Sequence, residues 1–111
     1  DLIVLNSTVS EAKKTQYFLD IESWNAKIII WTRSAIFYPF SNLALIIIDE
    51  EHDNSYISDQ SPRYNTLEIA NKITELNWNK LLLASWTPGI NSMYKAINWE
   101  YKLLNLLEKF K

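Results

Sequence analysis

LALIIIDEEHD, residues 43–53, is an apolar run that passes directly into three acids, a histidine and a fourth acid. Apolar residues at successive positions are typical of a strand that is buried on both faces of a sheet. Such runs usually end in turn residues such as Gly, Pro or Asn. The acids at the end of this strand therefore need an explanation of their own.

Further strands and helices alternate on both sides of this run. Besides 43–49 we expect strands at 2–7, 26–31 and 80–85, helices at 8–23 and 65–77, a short helix within 87–98, and a loop with one helical turn at 32–42. Residues 100–107 are predicted as a fifth strand, with a continued helix as the alternative. Capping boxes are expected at Thr8 with Glu11 and at Asn65 with Glu68.

This order of elements predicts an α/β fold, with a mostly parallel sheet and flanking helices. Right-handed crossovers would bring the carboxyl ends of all strands to one rim, where open α/β sheets bind their ligands. The acids after residue 48 are then close to a ligand and still partly hydrated, so they avoid the full cost of burying charge.

The totals describe one small domain or part of one. The chain has 111 residues, a net charge of −2 and no cysteine, which excludes disulfides and thiolate metal sites and gives no global attraction to nucleic acid. No apolar run reaches the roughly 20 residues of a membrane-spanning helix, and no signal-peptide pattern opens the chain. We expect a cytoplasmic protein without a membrane partner, and the start at Asp1 without methionine suggests a piece of a longer protein.

An apolar strand followed by Asp-Glu is the arrangement of a Walker B element, in which the Asp orients Mg²⁺ and the Glu polarises the attacking water. A solvated acidic turn is the alternative. Three segments make the nucleotide interpretation more specific: WTRSAIFYPFSNLALIIIDEEHDNSY, SPRYNTLEIA and LLLASWTPGINSMYKA. In order and spacing they resemble the first motor lobe of the PriA family (primosomal protein N′), superfamily 2 DNA helicases of replication restart.

The resemblance implies that residues 1–111 form the C-terminal part of the first ATP-binding lobe, a partial RecA-like P-loop NTPase lobe. The Walker A half, the second lobe, the zinc region and the N-terminal DNA-binding domain would lie elsewhere. The implied parent is an ATP-dependent DNA helicase for primosome assembly and the restart of stalled forks, with ATP and Mg²⁺ as cofactors and zinc bound outside this chain. Implied partners are branched or single-stranded DNA, primosome proteins and single-strand-binding proteins.

The resemblance also implies roles for individual residues of the acid box. Asp49 would orient Mg²⁺ through a water molecule, and Glu50 would activate the water that attacks ATP. Glu51 and His52 would complete the DEEH box on the nucleotide side, and Ser85 and Thr87 of the SWTP motif would connect the box to the DNA side. For His52 the alternative is a loop histidine that bonds to neighbouring backbone.

Two further segments resemble the parts of these helicases that contact DNA. Thr32, Arg33 and Ser34 would meet the single-strand backbone, as suits two hydroxyls around a guanidinium. Tyr56, Arg63 and Tyr64 would sense DNA by stacking and phosphate contact. Arg33 could instead be a structural ion-pair partner, and the tyrosines could instead pack the loop against the sheet.

Two departures qualify the resemblance. The phosphate-binding loop GxxxxGK[ST] is absent from a chain with one glycine, so we expect no ATP hydrolysis by this chain alone. The alternatives are a degenerate, non-catalytic α/β module that binds DNA or protein, and another superfamily 2 motor or nuclease with the same acid box.

The second departure concerns the five tryptophans, all of which lie where a small residue or a residue with positive φ is expected. This suggests that their codons are UGA, which the source reads as glycine and which has been translated as tryptophan. These positions are Trp24, Trp31, Trp78, Trp86 and Trp99.

Overall fold

The computed structural model describes residues 2–5, 8–30 and 32–108. Two predicted strand ends, residues 6–7 and Trp31, lie outside the described residues. The elements in chain order are β1 (Leu2–Val4), α1 (Glu11–Glu22), β2 (Ile28–Ile30), a 3₁₀ helix (Arg33–Phe37), β3 (Leu45–Ile48), a second 3₁₀ helix (Asn54–Tyr56), β4 (Ile57–Ser58), β5 (Tyr64–Asn65), α2 (Thr66–Asn77), β6 (Lys80–Leu83) and α3 (Ile90–Ile97).

Parallel strand pairing is confirmed, but the described strands do not form one sheet. β1 pairs with β2 and β3 pairs with β6, both in parallel, while β4 and β5 form a short antiparallel ladder. Within the described ranges these are three separate two-stranded sheets. The chain is therefore a small α/β domain, and its assignment to a RecA-like lobe stays a prediction.

The strands are not buried on both faces, as their apolar sequences led us to expect. Ile3 of β1 is buried, whereas its neighbours Leu2 and Val4 are more than half exposed; in β3 Ile48 is buried and Ile47 is 60% exposed. One face of the β1–β2 sheet is covered, since Ile3 packs with Leu5 and with Ile21 of α1. The other face is open to solvent among the described residues, so an apolar sequence on both faces does not mean that both faces are covered.

The first capping prediction is wrong, and the Asn65 half of the second is confirmed. α1 is capped by Ser10, whose hydroxyl accepts from the backbone N–H of Lys13, so the helix begins later than a Thr8–Glu11 box would place it. At α2 the Asn65 side-chain oxygen accepts from Leu67 N at 2.9 Å. It also accepts from Glu68 N at 3.5 Å. This cap fixes where the polar connection after β3 ends.

The predicted fifth strand is wrong, whereas the predicted helical turn within 32–42 is present at Arg33–Phe37. Residues 100–107 have no regular structure, and Leu106 and Leu107 are more than 90% exposed. The chain turns at residues 98–101 after α3, and no described strand lies beside the segment to complete its backbone hydrogen bonds. In the part of the chain that the structure describes, no helix has the length and apolar character needed to cross a membrane.

Candidate functional site

The acid box lies at the carboxyl end of β3, directly beside the end of β6. In the parallel ladder Ile48 is opposite Leu83. Two further backbone bonds extend the pairing beyond the strands, from Ala84 N to Ile48 O at 2.8 Å and from Glu51 N to Ala84 O at 3.1 Å. The two polar segments that follow these strands are therefore held side by side, as the predicted rim requires.

Asp49 and Glu50 both reach solvent at this rim. One carboxylate oxygen of Asp49 accepts from the backbone N–H of Glu50 at 3.0 Å. The Glu50 backbone has φ 49°, in the left-handed region, and its side chain is 57% exposed. Neither carboxylate forms an ion pair with a Lys or Arg among the described residues. Both acids are therefore available to a ligand that approaches the rim.

Glu51 is buried, and both of its carboxylate oxygens bind the N-terminus of α3. Gly89 N donates to Oε1 at 2.6 Å and the Ser92 hydroxyl donates to Oε2 at 2.9 Å. Gly89 precedes the first helical residue and has no side chain to cap the helix, so the carboxylate supplies the cap and a negative charge at the positive end of the helix. Sequence reasoning placed Glu51 on the nucleotide side and missed Gly89 and Ser92. The available signal was a helix start, GINS, without a capping side chain before it.

His52 connects the acid box to the segment after β6. Its Nδ1 lies 2.6 Å from the Ser85 hydroxyl and 3.5 Å from a Glu50 carboxylate oxygen. Its Nε2 lies 3.5 Å from the Thr87 hydroxyl, and the Ser85 hydroxyl in turn accepts from Thr87 N at 3.1 Å. The structure thus brings together Glu50, His52, Ser85 and Thr87, which are up to 37 positions apart in the sequence.

A second group of predicted residues lines a cleft of about 730 Å³. The Arg33 guanidinium donates to the carbonyls of Ser55 and Ile57, the latter at 3.0 Å. It therefore fastens the loop after the acid box to the segment after β2, which is a structural role for this cation. Arg63 is exposed and does not line the cleft. The lining residues are Thr32, Arg33, Ser34, Ser55, Tyr56, Ser58, Gln60, Ser61, Pro62 and Tyr64.

Tyr56 joins the cleft to the acid box. Its hydroxyl donates to the backbone carbonyl of Asp49 at 2.7 Å. Burial raises the pKa of the Tyr56 phenol, and the negative charges of Asp49, Asp53 and Glu50 raise it further, so the surroundings favour the neutral phenol that donates to Asp49. Tyr64, also in the cleft, packs edge-on against Phe37 with ring centroids 4.9 Å apart. Phe37 belongs to the first 3₁₀ helix, so this contact packs Tyr64 against that helix.

The described residues contain no group of three or more His, Cys, Asp or Glu side chains that could hold a metal ion by themselves. Asp49 and Glu50 instead offer two exposed carboxylates at consecutive positions of the rim. That is sufficient for a magnesium ion whose other ligands are water and phosphate oxygens, because Mg²⁺ commonly keeps several waters and is bound through one or two carboxylates plus substrate phosphates. The donor set therefore fits one side of a magnesium-nucleotide site.

Comparison with known proteins gives a consistent result. No family model matches the chain. Replication restart protein PriA of Rickettsia prowazekii is 38% identical over 109 residues, which is 98% of this chain and 17% of that protein. PriA of Bacillus subtilis is 39% identical over 103 residues, and that of Thermotoga maritima is 32% identical over 107. The chain spans only 13–17% of the length of these relatives. The predicted resemblance is confirmed: nearly the whole of this chain is related in sequence to one segment of the replication restart protein PriA.

Proposed function

We propose that this chain forms the Walker B part of the first motor lobe of an ATP-dependent DNA helicase that acts in replication restart. The observation that carries the proposal is the bridge made by His52 between the Glu50 carboxylate and the hydroxyls of Ser85 and Thr87. An acidic turn without a function needs no histidine bonded to a second motif. The name of the relatives, replication restart protein, supports the biological role.

In this proposal Asp49 would hold Mg²⁺ through water and Glu50 would orient the water that attacks the phosphate. Bound magnesium-ATP supplies the metal charge and the phosphoryl group to be transferred. The exposure of both carboxylates at the rim supports these roles. Since GxxxxGK[ST] is absent from the 111 residues, the phosphate-binding loop has to come from another part of the motor.

We further propose that the cleft contacts the DNA strand. Hydroxyls of Thr32 and Ser34 are suited to phosphate oxygens, and the ring of Tyr56 is suited to stacking on a base. The Tyr56 hydroxyl also contacts Asp49, so movement of this loop on DNA binding would reach the acid box directly. Branched or single-stranded DNA, primosome proteins and single-strand-binding proteins are the proposed partners of the whole motor.

The test replaces the matching segment of Bacillus subtilis PriA with this chain, so that the chain becomes part of a complete motor. The expected result is DNA-stimulated ATP hydrolysis that falls by about 10² or more in the Glu50→Gln variant, because proton transfer by a positioned carboxylate contributes roughly that much. Glu75→Gln on α2 is the matched control, since Glu75 is exposed and pairs with Lys72 at the surface. Equal hydrolysis by the Glu50→Gln graft would contradict the proposal, as would a folded, DNA-binding graft without activity.

The second candidate function is a non-catalytic α/β module that binds DNA. One observation favours it: the cleft lies wholly within this chain, whereas a complete ATP site does not. Fluorescence anisotropy with labelled single-stranded DNA would then show salt-sensitive binding by the chain itself, and the graft described above would bind DNA without hydrolysing ATP.

A further inference from the structure

Each α-helix in the described part of the chain is followed by a tryptophan with left-handed backbone. Trp24 follows α1 with φ 66°, Trp78 follows α2 with φ 57°, and Trp99 follows α3 with φ 64°. In this region the Cβ of any L-residue is crowded against its own carbonyl, so proteins use glycine there by preference.

The end of α1 shows the hydrogen bonds that define a glycine-type helix stop. Trp24 N donates to Ile21 O at 3.3 Å, and Asn25 N donates to Asp20 O at 2.9 Å. These two bonds are the Schellman motif, whose left-handed residue is usually glycine. The motif satisfies carbonyls that the helix leaves unpaired, so the left-handed residue is required by the fold.

The end of α3 repeats the same pattern. Trp99 N donates to Ala96 O at 3.2 Å and Glu100 N donates to Lys95 O at 2.9 Å, which is a second Schellman motif. α2 ends in the simpler left-handed motif, with one bond from Trp78 N to Thr74 O at 3.0 Å. Three independent helix stops thus use one residue type that is poorly suited to them.

At positions 78 and 99 the side chains give no reason to keep tryptophan. Trp78 is 92% exposed and Trp99 is 93% exposed, so their rings gain almost nothing from burial. Trp24 is 56% exposed, and its indole N–H donates to the Ser41 hydroxyl. At positions 78 and 99 the protein carries the conformational cost of a large residue without a compensating contact of any size.

The glycine content points the same way. The chain contains a single glycine, Gly89, against an average of about 7% in proteins. Gly89 has φ −63° and lies before a helix, so its backbone is in a region that residues with a side chain also adopt. Glycine is thus missing from three positions that require it.

We infer that positions 24, 78 and 99 carry glycine in the protein as its source makes it, and that the three tryptophans result from reading UGA codons as tryptophan where the source reads them as glycine. The backbone evidence covers these three positions. Trp86 has no positive φ and serves as a control, and Trp31 lies outside the described residues.

The direct experiment reads the codons and the protein together. The codons for residues 78 and 99 are expected to be UGA, and tryptic peptides 73–80 and 96–102 from the protein isolated from its source are expected to have the masses of the glycine forms. UGG codons at these positions would overturn the inference. So would peptides that contain tryptophan, because UGA would then be read as tryptophan.

A second experiment tests the backbone reasoning in the chain itself. Trp78→Gly is expected to raise the folding equilibrium constant about tenfold, since the left-handed conformation costs a residue with a Cβ about that factor. Trp78→Ala removes the same exposed ring but keeps the Cβ, and it should give little of this gain. Trp86→Gly should give none. An equal gain for Ala and Gly, or a loss with Trp78→Gly, would overturn the inference; resistance to limited proteolysis provides the readout if melting is not cooperative.

Discussion

Replacing Glu51 should loosen the attachment of α3 to the rim of the β3–β6 sheet. Glu51 is 5% exposed, and its two oxygens accept from Gly89 N and the Ser92 hydroxyl. Alanine removes both acceptors at once. It leaves the half-buried backbone N–H of Gly89 and the half-buried Ser92 hydroxyl without this partner, at a helix start that has no side-chain cap of its own.

The size of the effect follows from these contacts. Hydrogen bonds to charged groups contribute about 1.5–3 kcal/mol each, and a helix N-cap contributes about 0.5–2 kcal/mol. The cost of burying the carboxylate offsets part of this gain. We therefore expect Glu51→Ala to lower the free energy of unfolding by about 2–3 kcal/mol. Glu51→Gln keeps the shape and one acceptor oxygen but loses the charge, so it should cost about 1 kcal/mol.

Denaturant unfolding, combined with hydrogen exchange at the amides of residues 89–93, measures both the total loss and its location. The Gly89 amide should lose the most protection, because it is the donor to Oε1 at 2.6 Å. Glu75→Ala is the control, since Glu75 is a surface partner of Lys72 and its loss should have no measurable effect. Equal stabilities of Glu51→Ala and Glu75→Ala would refute the anchoring role, and unchanged protection of Gly89 would refute the cap geometry.

Three further outcomes are expected. The purified 111-residue chain should not turn over ATP, because its sequence lacks the phosphate-binding loop; continued phosphate release would contradict this. The raised pKa of Tyr56 means that the fold favours the neutral phenol, so this contribution to stability is fully present below pH about 10 and is lost as pH rises through the folded-state pKa. Absorbance titration of the phenolate measures it, with Tyr56→Phe as control. The isolated chain should associate, because Leu2, Val4, Ile28 and Ile47 are exposed on open sheet faces; a concentration-independent cooperative melt of a monomer would show otherwise.

The place of the acid box could be predicted from the sequence because it depends on local patterns and one topological rule. A continuous apolar run gives β3, a second run gives β6, and parallel pairing brings the residues after each strand together. His52 and Ser85 are neighbours for this reason. The roles of Asp49 and Glu50 in ATP hydrolysis stay predictions.

Other features depend on partners that sequence periodicity does not identify. To predict that Glu51 binds α3, one would have to know that the N-terminus of this helix faces the buried side of the acid box. The segment 100–107 has the apolar composition of a strand, yet a strand also needs a neighbouring edge, and none is present among the described residues. The open sheet faces differ from the expectation for the same reason, since apolar composition does not show whether another layer is present to cover them.

The left-handed backbone of Glu50 makes position 50 unfavourable for a residue with a side chain. If residues 24, 78 and 99 are glycine, Glu50 is the one described residue with a side chain that remains at positive φ. Glycine at position 50 would relieve this strain, so Glu50→Gly should give a more stable protein that lacks the carboxylate. A carboxylate at this position would then come at a cost in stability, as the catalytic role proposed for Glu50 would require. At this single position, the sequence that folds best and the sequence that works best would differ.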